Sequence, residues 1–492
     1  METQDGFSPE LRRLILVITL GSFMAFLDST IVNVALGPLT HDLNTDLATI
    51  QWVVTGYLLA MAAVIPVSGW AATRFGGARV YVAALGVFTL ASLVCGLAGS
   101  IEMLIAGRAL QGLAGGLLMP VGAVLMMRAT RPDQVARVMA ASGVPTVLAP
   151  VFGPTIGGLL IDHAGWEWIF LLNLPVGVLT LVLALRLLDF EPMASGGRTG
   201  TLDLAGALLI TGGTVSLTYG LAEIGARGEV GAVTLWSLGL GALLLVVFVG
   251  HQMRVARPLL DLRLFADPRY GAASLAGFCL GATIFGAIIL MPLYFQLVRG
   301  EDAVRTGLLL MPQGIGVAIG MFVGAGLTDR IGSGWTAVTG AGLSLVATLP
   351  FTAIGLDTSY WMLDSAMTVR GLGVGFCTVS VSAAAFRAIR PGDIPGATVQ
   401  FNVLQRLGGS AATAAFAVIL QHQLDAADGP AAVAHAFGTS FWWVVVLAAG
   451  SGLPLLLLIP AERRARPGSA AGAAASVGPD QAGVTPSARS SS

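Results

Sequence analysis

The chain contains fourteen stretches of about 20 predominantly apolar residues, and this pattern restricts its possible folds more than any other feature. A hydrocarbon core of about 30 Å is crossed by about 20 helical residues, so each stretch is long enough to span a membrane. Only 11% of the 492 residues are charged, against about 25% in soluble globular domains. We therefore predict an all-α polytopic membrane protein. The predicted spans begin near residues 13, 50, 79, 103, 135, 168, 204, 232, 272, 305, 334, 361, 399 and 438.

The distribution of basic residues predicts the orientation. All 26 basic residues are arginines, and with both termini placed in the cytoplasm most of them fall on the inner side. This asymmetry follows the positive-inside rule, which predicts a multi-pass protein of the cytoplasmic membrane. The exceptions are Arg227, Arg299 and Arg305 on the outer side, and Arg108, Arg370 and Arg406 at membrane depth. Arg406 is expected near the inner end of its span, where it could extend to the surface, whereas Arg370 would need a partner.

Several function classes are disfavoured by composition. Without lysine the chain has no Gly-x-x-x-x-Gly-Lys phosphate loop, so ATP is not an expected partner. No basic stripe with interleaved aromatic residues indicates nucleic acid. The three cysteines fall inside predicted spans and the five histidines lie at span ends or in loops, so neither a metal site nor an enzyme is indicated. No cofactor is expected; the lipid bilayer, protons and a small-molecule substrate are the expected partners.

Two polar interruptions divide the chain. They lie at residues 191–201 and 251–268 and bracket a pair of spans with few polar residues. Removing that pair leaves six spans before it and six after it, as expected of a transporter with two pseudo-symmetric halves. We predict a six-helix bundle over residues 1–190, two inserted helices over 191–268, a second six-helix bundle over 269–460 and a disordered cytoplasmic tail over 461–492.

The first span carries a carboxylate, Asp28, at membrane depth. A charge there costs roughly 2.5 to 3.5 kcal/mol on insertion scales and usually has a function. If spans 1 and 4 run antiparallel, Asp28 and Arg108 lie at similar depth and can form an ion pair. Pairing favours the ionised carboxylate and desolvation opposes it, so such a group can exchange a proton. A static pair that only fixes helix packing is the alternative.

Five segments in this order resemble the major facilitator superfamily, and within it the fourteen-span drug:proton antiporters of the EmrB/QacA type. They are LDSTIVNVAL (27–36), LIAGRALQGLAGG (104–116), GPTIGG (153–158), WEWIFLLNLPVG (166–177) and MPLYFQLVRG (291–300). The resemblance implies the major facilitator fold and proton-coupled export of a small, largely apolar organic compound or antibiotic by alternating access. An uptake symporter of the same fold, or a non-transporting membrane sensor or scaffold, are the alternatives.

The resemblance also implies conformational motifs. A Gly/Arg turn follows the second span of each half, and GPTIGG corresponds to the antiporter motif, although close helix packing also explains small residues there. Thr73 stands where the family usually has aspartate, so the gating salt bridge that this aspartate forms is not expected in the first half. In the second half the corresponding aspartate is present as Asp329. The motif residues are Gly69, Arg74, Gly76, Arg79, Gly153, Pro154, Gly157, Gly158, Asp329 and Arg330.

Polar and aromatic residues at membrane depth are candidates for the lining of a substrate cavity. Polar side chains can also bond neighbouring helices together, and aromatic side chains can face lipid, so each candidate has a structural alternative. The candidates are Gln51, Trp52, Tyr57, Gln111, Phe285, Tyr294, Gln296, Gln313, Gln400, Phe401, Asn402 and Gln405.

Overall fold

The computed structural model describes residues 7–190, 202–227, 231–255 and 258–465. Side chains at 47–48, 145–147, 150–151, 154, 225–227, 285–289, 303, 391 and 461–465 are not described. The predicted linker at 191–201 and most of the predicted tail, residues 466–492, therefore lie outside the described residues, as do the side chains of Pro154 and Phe285.

The described chain is helical. The first helices are α1 (Pro9–Asp42), α2 (Trp52–Phe75), α3 (Gly77–Gly96), α4 (Ile101–Ala129), α5 (Val135–Ala164) and α6 (Glu167–Leu187). They are followed by α7 (Leu204–Arg227) and α8 (Ala232–Arg254). The last are α9 (Pro268–Leu297), α10 (Ala303–Ile331), α11 (Ser333–Ala353), α12 (Tyr360–Arg387), α13 (Ile394–Asp425) and α14 (Pro430–Ala465). We call α1–α6 the N-terminal helices and α9–α14 the C-terminal helices.

Twelve of these helices are long and apolar enough to cross a membrane, judged on the described residues. The other two, α5 and α9, are 30 residues long each and contain undescribed side chains. An all-helical polytopic membrane fold is therefore confirmed, whereas the count of fourteen spans stays a prediction.

Helix ends follow local sequence signals. The Ser8 side chain accepts from the amide of Leu11 at the start of α1, and Ser100 accepts from Met103 at the start of α4. These serines satisfy amides that have no partner within the helix. Two tight turns on the expected inner side require glycine, because Gly76 and Gly332 have φ of 88° and 94°, a region that residues with a Cβ avoid.

Glycines permit close contact between helices. A Cβ on Gly112 of α4 would lie 2.3 Å from the carbonyl oxygen of Tyr57 in α2. Among the C-terminal helices, a Cβ on Gly371 of α12 would lie 2.3 Å from the carbonyl oxygen of Gln313 in α10. Small residues at these crossings allow the backbones to approach, which gives membrane helices much of their packing energy.

The N-terminal and C-terminal helices meet along two seams. At one seam α5 packs against α10, and at the other the inner end of α2 contacts the start of α13. A Cβ on Gly69 would lie 3.0 Å from the carbonyl oxygen of Pro395, so this second contact needs glycine in α2. Helix α7 packs against both α2 and α13; its Thr211 hydroxyl donates to the carbonyl of Ala63 at 2.9 Å.

Candidate functional site

The structure brings Asp28 and Arg108 into direct contact at membrane depth. One guanidinium nitrogen of Arg108 donates to Asp28 Oδ2 at 2.5 Å, and both side chains are buried. Asp28 lies in the middle of α1 and Arg108 in the second turn of α4. Antiparallel spans of the predicted lengths bring the two residues to the same depth.

Asp28 accepts two further hydrogen bonds. Asn173 in α6 donates its amide to Oδ1 at 2.7 Å, and Gln111, one turn after Arg108, donates at 3.3 Å. Both amides also donate to the hydroxyl of Ser92 in α3, at 3.3 Å and 2.6 Å respectively. The carboxylate is therefore held by three donors from two helices, and α3 fixes two of those donors.

Arg108 is held as tightly as its partner. Its Nε donates to the carbonyl of Val53 at 3.1 Å, and the nitrogen that contacts Asp28 also donates to Gln111 Oε1 at 3.0 Å. The guanidinium carbon lies 4.0 Å from the centroid of the Tyr57 ring, a cation–π contact that suits a desolvated arginine. The planar guanidinium makes these contacts in different directions, which a lysine ammonium does not reproduce.

The carboxylate of Asp28 is surrounded by three donors, one of which carries a positive charge, and it has no exposed surface. An ionisable side chain at membrane depth with such partners is a candidate functional site.

Among the described residues, the C-terminal helices contain no ion pair at membrane depth. Arg370 of α12 is buried and donates to the carbonyl of Thr283 at 3.2 Å, while its Nε has no partner. Arg406 differs from the expectation that it extends to the inner surface. Helix α13 begins at Ile394, five residues before the predicted start, so Arg406 lies in its fourth turn. There its side chain reaches across to the sulfur of Met119 in α4 at 3.6 Å.

Among the predicted cavity residues whose side chains the structure describes, Tyr57 and Gln111 contact the ion pair. Trp52 is 42% exposed and stacks on Tyr219 of α7, and Gln296 is exposed. Gln51, Gln313 and Gln405 are half-buried. The remaining described candidates bond or pack locally: Tyr294 donates to the Gly355 carbonyl, Gln400 to the Asp261 carbonyl, Asn402 to the Thr398 carbonyl, and Phe401 packs on Phe386.

Of the predicted Gly/Arg turn residues, Asp329 makes ionic contacts. Arg387 of α12 donates to Asp329 Oδ1 at 2.7 Å and to the carbonyl of Pro132, before α5, at 3.0 Å. Arg137 of α5 lies 3.5 Å from Asp329 Oδ2. We call these residues the inner latch, because they join the C-terminal helices to α5 on the expected inner side. Arg74, Arg79 and Arg330 are exposed.

The glycines of GPTIGG contact two different helices. A Cβ on Gly153 would lie 2.3 Å from Thr30 Oγ1, and one on Gly157 would lie 2.8 Å from Ile31 Cγ1, both in α1. A Cβ on Gly158 would lie 2.8 Å from Val304 Cγ2 in α10. Helix α5 therefore uses small residues to pack simultaneously against the helix that carries Asp28 and against the C-terminal helices.

No role was predicted from sequence for Asn173, Ser92, Arg137 or Arg387. Asn173 lies inside the segment WEWIFLLNLPVG, where a lone amide in an apolar span was the available signal. The two latch arginines resembled other inner-side arginines in sequence. Only the packing of α5 against α10 and α12 distinguishes them.

A buried ion pair within a bundle of membrane-spanning helices is typical of a transporter. A family model described as Major Facilitator Superfamily matches residues 18–413. The chain is 35% identical over 420 residues to a Multidrug resistance protein B homolog of Mycobacterium tuberculosis, covering 83% of this chain and 76% of that protein. It is 31% identical over 428 residues to a Methylenomycin A resistance protein of Streptomyces coelicolor, covering 87% and 89%.

Solved structures agree on the fold. The proton:xylose symporter XylE superposes with a TM-score of 0.62 at 13% identity, covering 90% of this chain and 94% of that one. At this identity the likeness shows the fold alone. The chain belongs to the major facilitator superfamily, and its family and fold indicate a transporter rather than an enzyme.

Proposed function

We propose that this protein is a proton-coupled efflux transporter of the fourteen-span EmrB/QacA type. It exports a small, largely apolar organic compound or antibiotic across the cytoplasmic membrane by alternating access. The printed names of its relatives, at 31% and 35% identity, support drug efflux. The observation that carries the proposed proton coupling is the buried Asp28–Arg108 pair with its additional donors.

In the proposed cycle, cargo enters from the cytoplasm while Asp28 is ionised. The N-terminal and C-terminal helices then tilt to close the inner side. The described arrangement supports this order, because the ion pair and the inner latch are formed together. Formation of the pair is therefore compatible with a closed inner side.

Proton uptake from outside then neutralises Asp28 and weakens its contacts with Arg108 and Asn173. The cargo leaves, the protein returns to the inward-open state, and Asp28 releases its proton to the cytoplasm. The driving force is the pH gradient plus the membrane potential, which contributes about 2.3 kcal/mol per charge per 100 mV. No covalent change in the cargo and no bound cofactor is involved.

The test begins with a growth-inhibition panel of antibiotics in a host that lacks its own efflux pumps, with and without this protein. A compound that the protein protects against is then added to energised inside-out vesicles, and its accumulation and the movement of protons are measured. Protection should disappear with a protonophore. Wild-type protein should accumulate the compound while protons leave the vesicles.

The Asp28→Asn protein should insert and fold, yet it should neither accumulate the compound nor move protons. It keeps the shape of the side chain but removes its titration. Accumulation by Asp28→Asn that still dissipates a proton gradient contradicts the proposed coupling site. Increased sensitivity of cells that express the wild type, with inward proton movement accompanying uptake, would instead identify an uptake symporter.

A further inference from the structure

Three arginines lie at membrane depth, but only one has an acidic partner among the described residues. Arg108 is paired with Asp28, whose two oxygens are already occupied by three donors. Arg370 contacts a carbonyl oxygen and Arg406 contacts a sulfur atom. Neither contact neutralises a positive charge, so the described part of the membrane interior has two uncompensated cations.

Arg406 is the one of these two that lies where the N-terminal and C-terminal helices meet. Its side chain extends from α13, a C-terminal helix, to Met119 of α4, an N-terminal helix. Arg370, in contrast, is fully buried and bonds to α9 within the C-terminal helices. Arg406 is only half-buried, so part of this residue stays accessible at the contact between the halves.

We propose that Arg406 binds an acidic group of the cargo, so that the exported compounds are organic anions, such as carboxylates or enolates, and not organic cations. This inference rests on the proposed export function and names the substrate class. A guanidinium presents donors in a planar fork that matches a carboxylate. A guanidinium at membrane depth without a counter-ion is costly, and an anionic cargo removes that cost.

The same charges discriminate against cations. A cationic cargo would face the positive charge of Arg406, and juxtaposed like charges disfavour binding. The buried carboxylate that would attract a cation, Asp28, is occupied by Arg108. Selection by charge therefore uses both attraction of anions and repulsion of cations.

Anion export also changes the electrical character of the exchange. One proton moving inward and one monovalent anion moving outward transfer two positive charges in the same direction. Exchange of one proton for a monovalent cation transfers none. Transport should therefore respond strongly to the membrane potential even without a pH gradient, which is a readout independent of affinity.

The test uses two xanthene dyes of similar size and opposite charge, fluorescein and rhodamine 6G. Binding is measured with purified full-length protein by quenching of tryptophan fluorescence, and transport with reconstituted vesicles at a potential set by potassium and valinomycin. Wild-type protein should bind fluorescein at least ten-fold more tightly than rhodamine 6G. Fluorescein transport should accelerate with potential at constant pH.

Arg406→Gln should weaken fluorescein binding at least ten-fold and leave rhodamine 6G binding unchanged or tighter. Arg406→Lys, which keeps the charge and tests against misfolding, should retain part of the preference for fluorescein. Arg390→Gln is the matched control. It removes an equal charge from an exposed position between α12 and α13, and this variant should behave as the wild type.

The inference is overturned if the wild type prefers rhodamine 6G, binds neither dye, or loses no fluorescein affinity in the folded Arg406→Gln protein. One further result would separate the inference about Arg406 from the proposed proton coupling. If the preference for fluorescein depends on Arg406 but its transport ignores both pH gradient and protonophore, proton coupling fails and the charge selection stands.

Discussion

Asp28 and Arg108 are separated by 80 positions in the chain, yet their side chains meet at 2.5 Å in the interior of the helical bundle. Around them, Gln111, Asn173 and Ser92 form a closed set of hydrogen bonds. In the proposed cycle Asp28 takes and releases a proton, and these side chains form its hydrogen-bonding surroundings. Removing a donor should change the pH at which transport occurs without removing transport.

Asn173→Leu should change the pH dependence of efflux. The variant deletes the 2.7 Å donation to Asp28, and a hydrogen bond to a charged group contributes about 1.5–3 kcal/mol. The measurement is the rate of cargo accumulation in vesicles as a function of pH. Asn33→Leu, at an exposed position of α1, is the matched control. An unshifted profile in a folded Asn173→Leu protein would assign Asn173 a purely structural role.

Arg108→Gln should lower the thermal unfolding temperature in detergent markedly, because removal of one partner from a buried pair costs about 3–5 kcal/mol. The double variant Asp28→Asn with Arg108→Gln should lose less than the sum of the single variants, since no buried charge is left unpaired. The three unfolding temperatures test this coupling. Strict additivity would show that the pair contributes no net interaction.

Gly157→Leu should impair transport, because a Cβ at this position already lies 2.8 Å from Ile31 of α1. Overpacking of a tight contact costs about 1–3 kcal/mol and separates α5 from the helix that carries Asp28. Gly86→Leu is the matched control, since no atom lies within 4 Å of its Cβ position. Equal transport rates for the two variants would contradict a role for close α1–α5 packing.

Asp329→Asn should weaken the inner latch and expose the cavity beside it. That cavity has a volume of about 390 Å³ and is lined by Asp329, Arg387 and the buried Thr328. In a Thr328→Cys background, labelling by a membrane-impermeant maleimide from the inner side should become faster with Asp329→Asn. Arg330→Gln, at the exposed neighbour, should have a smaller effect. Equal labelling rates with and without Asp329→Asn would show that the latch does not hold the inner side closed.

Asp203 should give the inserted helices a pH-dependent stability. Burial raises the pKa of Asp203, but hydrogen bonds from His251, the Gly206 amide and Gln252 outweigh it, so this pKa lies below its ordinary value. Stability from a lowered pKa is present above the ordinary value, about 3.9, and is lost as pH falls through the lowered value. Asp203→Asn should therefore lower the unfolding temperature more at pH 7 than at pH 3, as measured by circular dichroism. An equal difference at both pH values would contradict this.

The sequence by itself determined the membrane-spanning helical class, the approximate start of each helix and the similar depths of Asp28 and Arg108. These properties follow from local hydropathy and from the fixed rise of a helix, which depend on neighbouring residues only. The two Gly/Arg turns, which contain Gly76 and Gly332, were likewise readable, because a tight turn is a local requirement for glycine.

Tertiary structure alone decided which polar side chains meet. Asn173 reaches Asp28 from 145 positions away, Arg387 bonds to Pro132 across 255, and Arg406 contacts Met119 across 287. The direction in which a side chain points depends on how each helix rotates against its neighbours, and glycine contacts such as Gly69 with Pro395 set that rotation. Hydropathy does not encode it, because a polar residue at membrane depth looks the same in sequence whether it faces a partner, its own backbone or the gap between the halves.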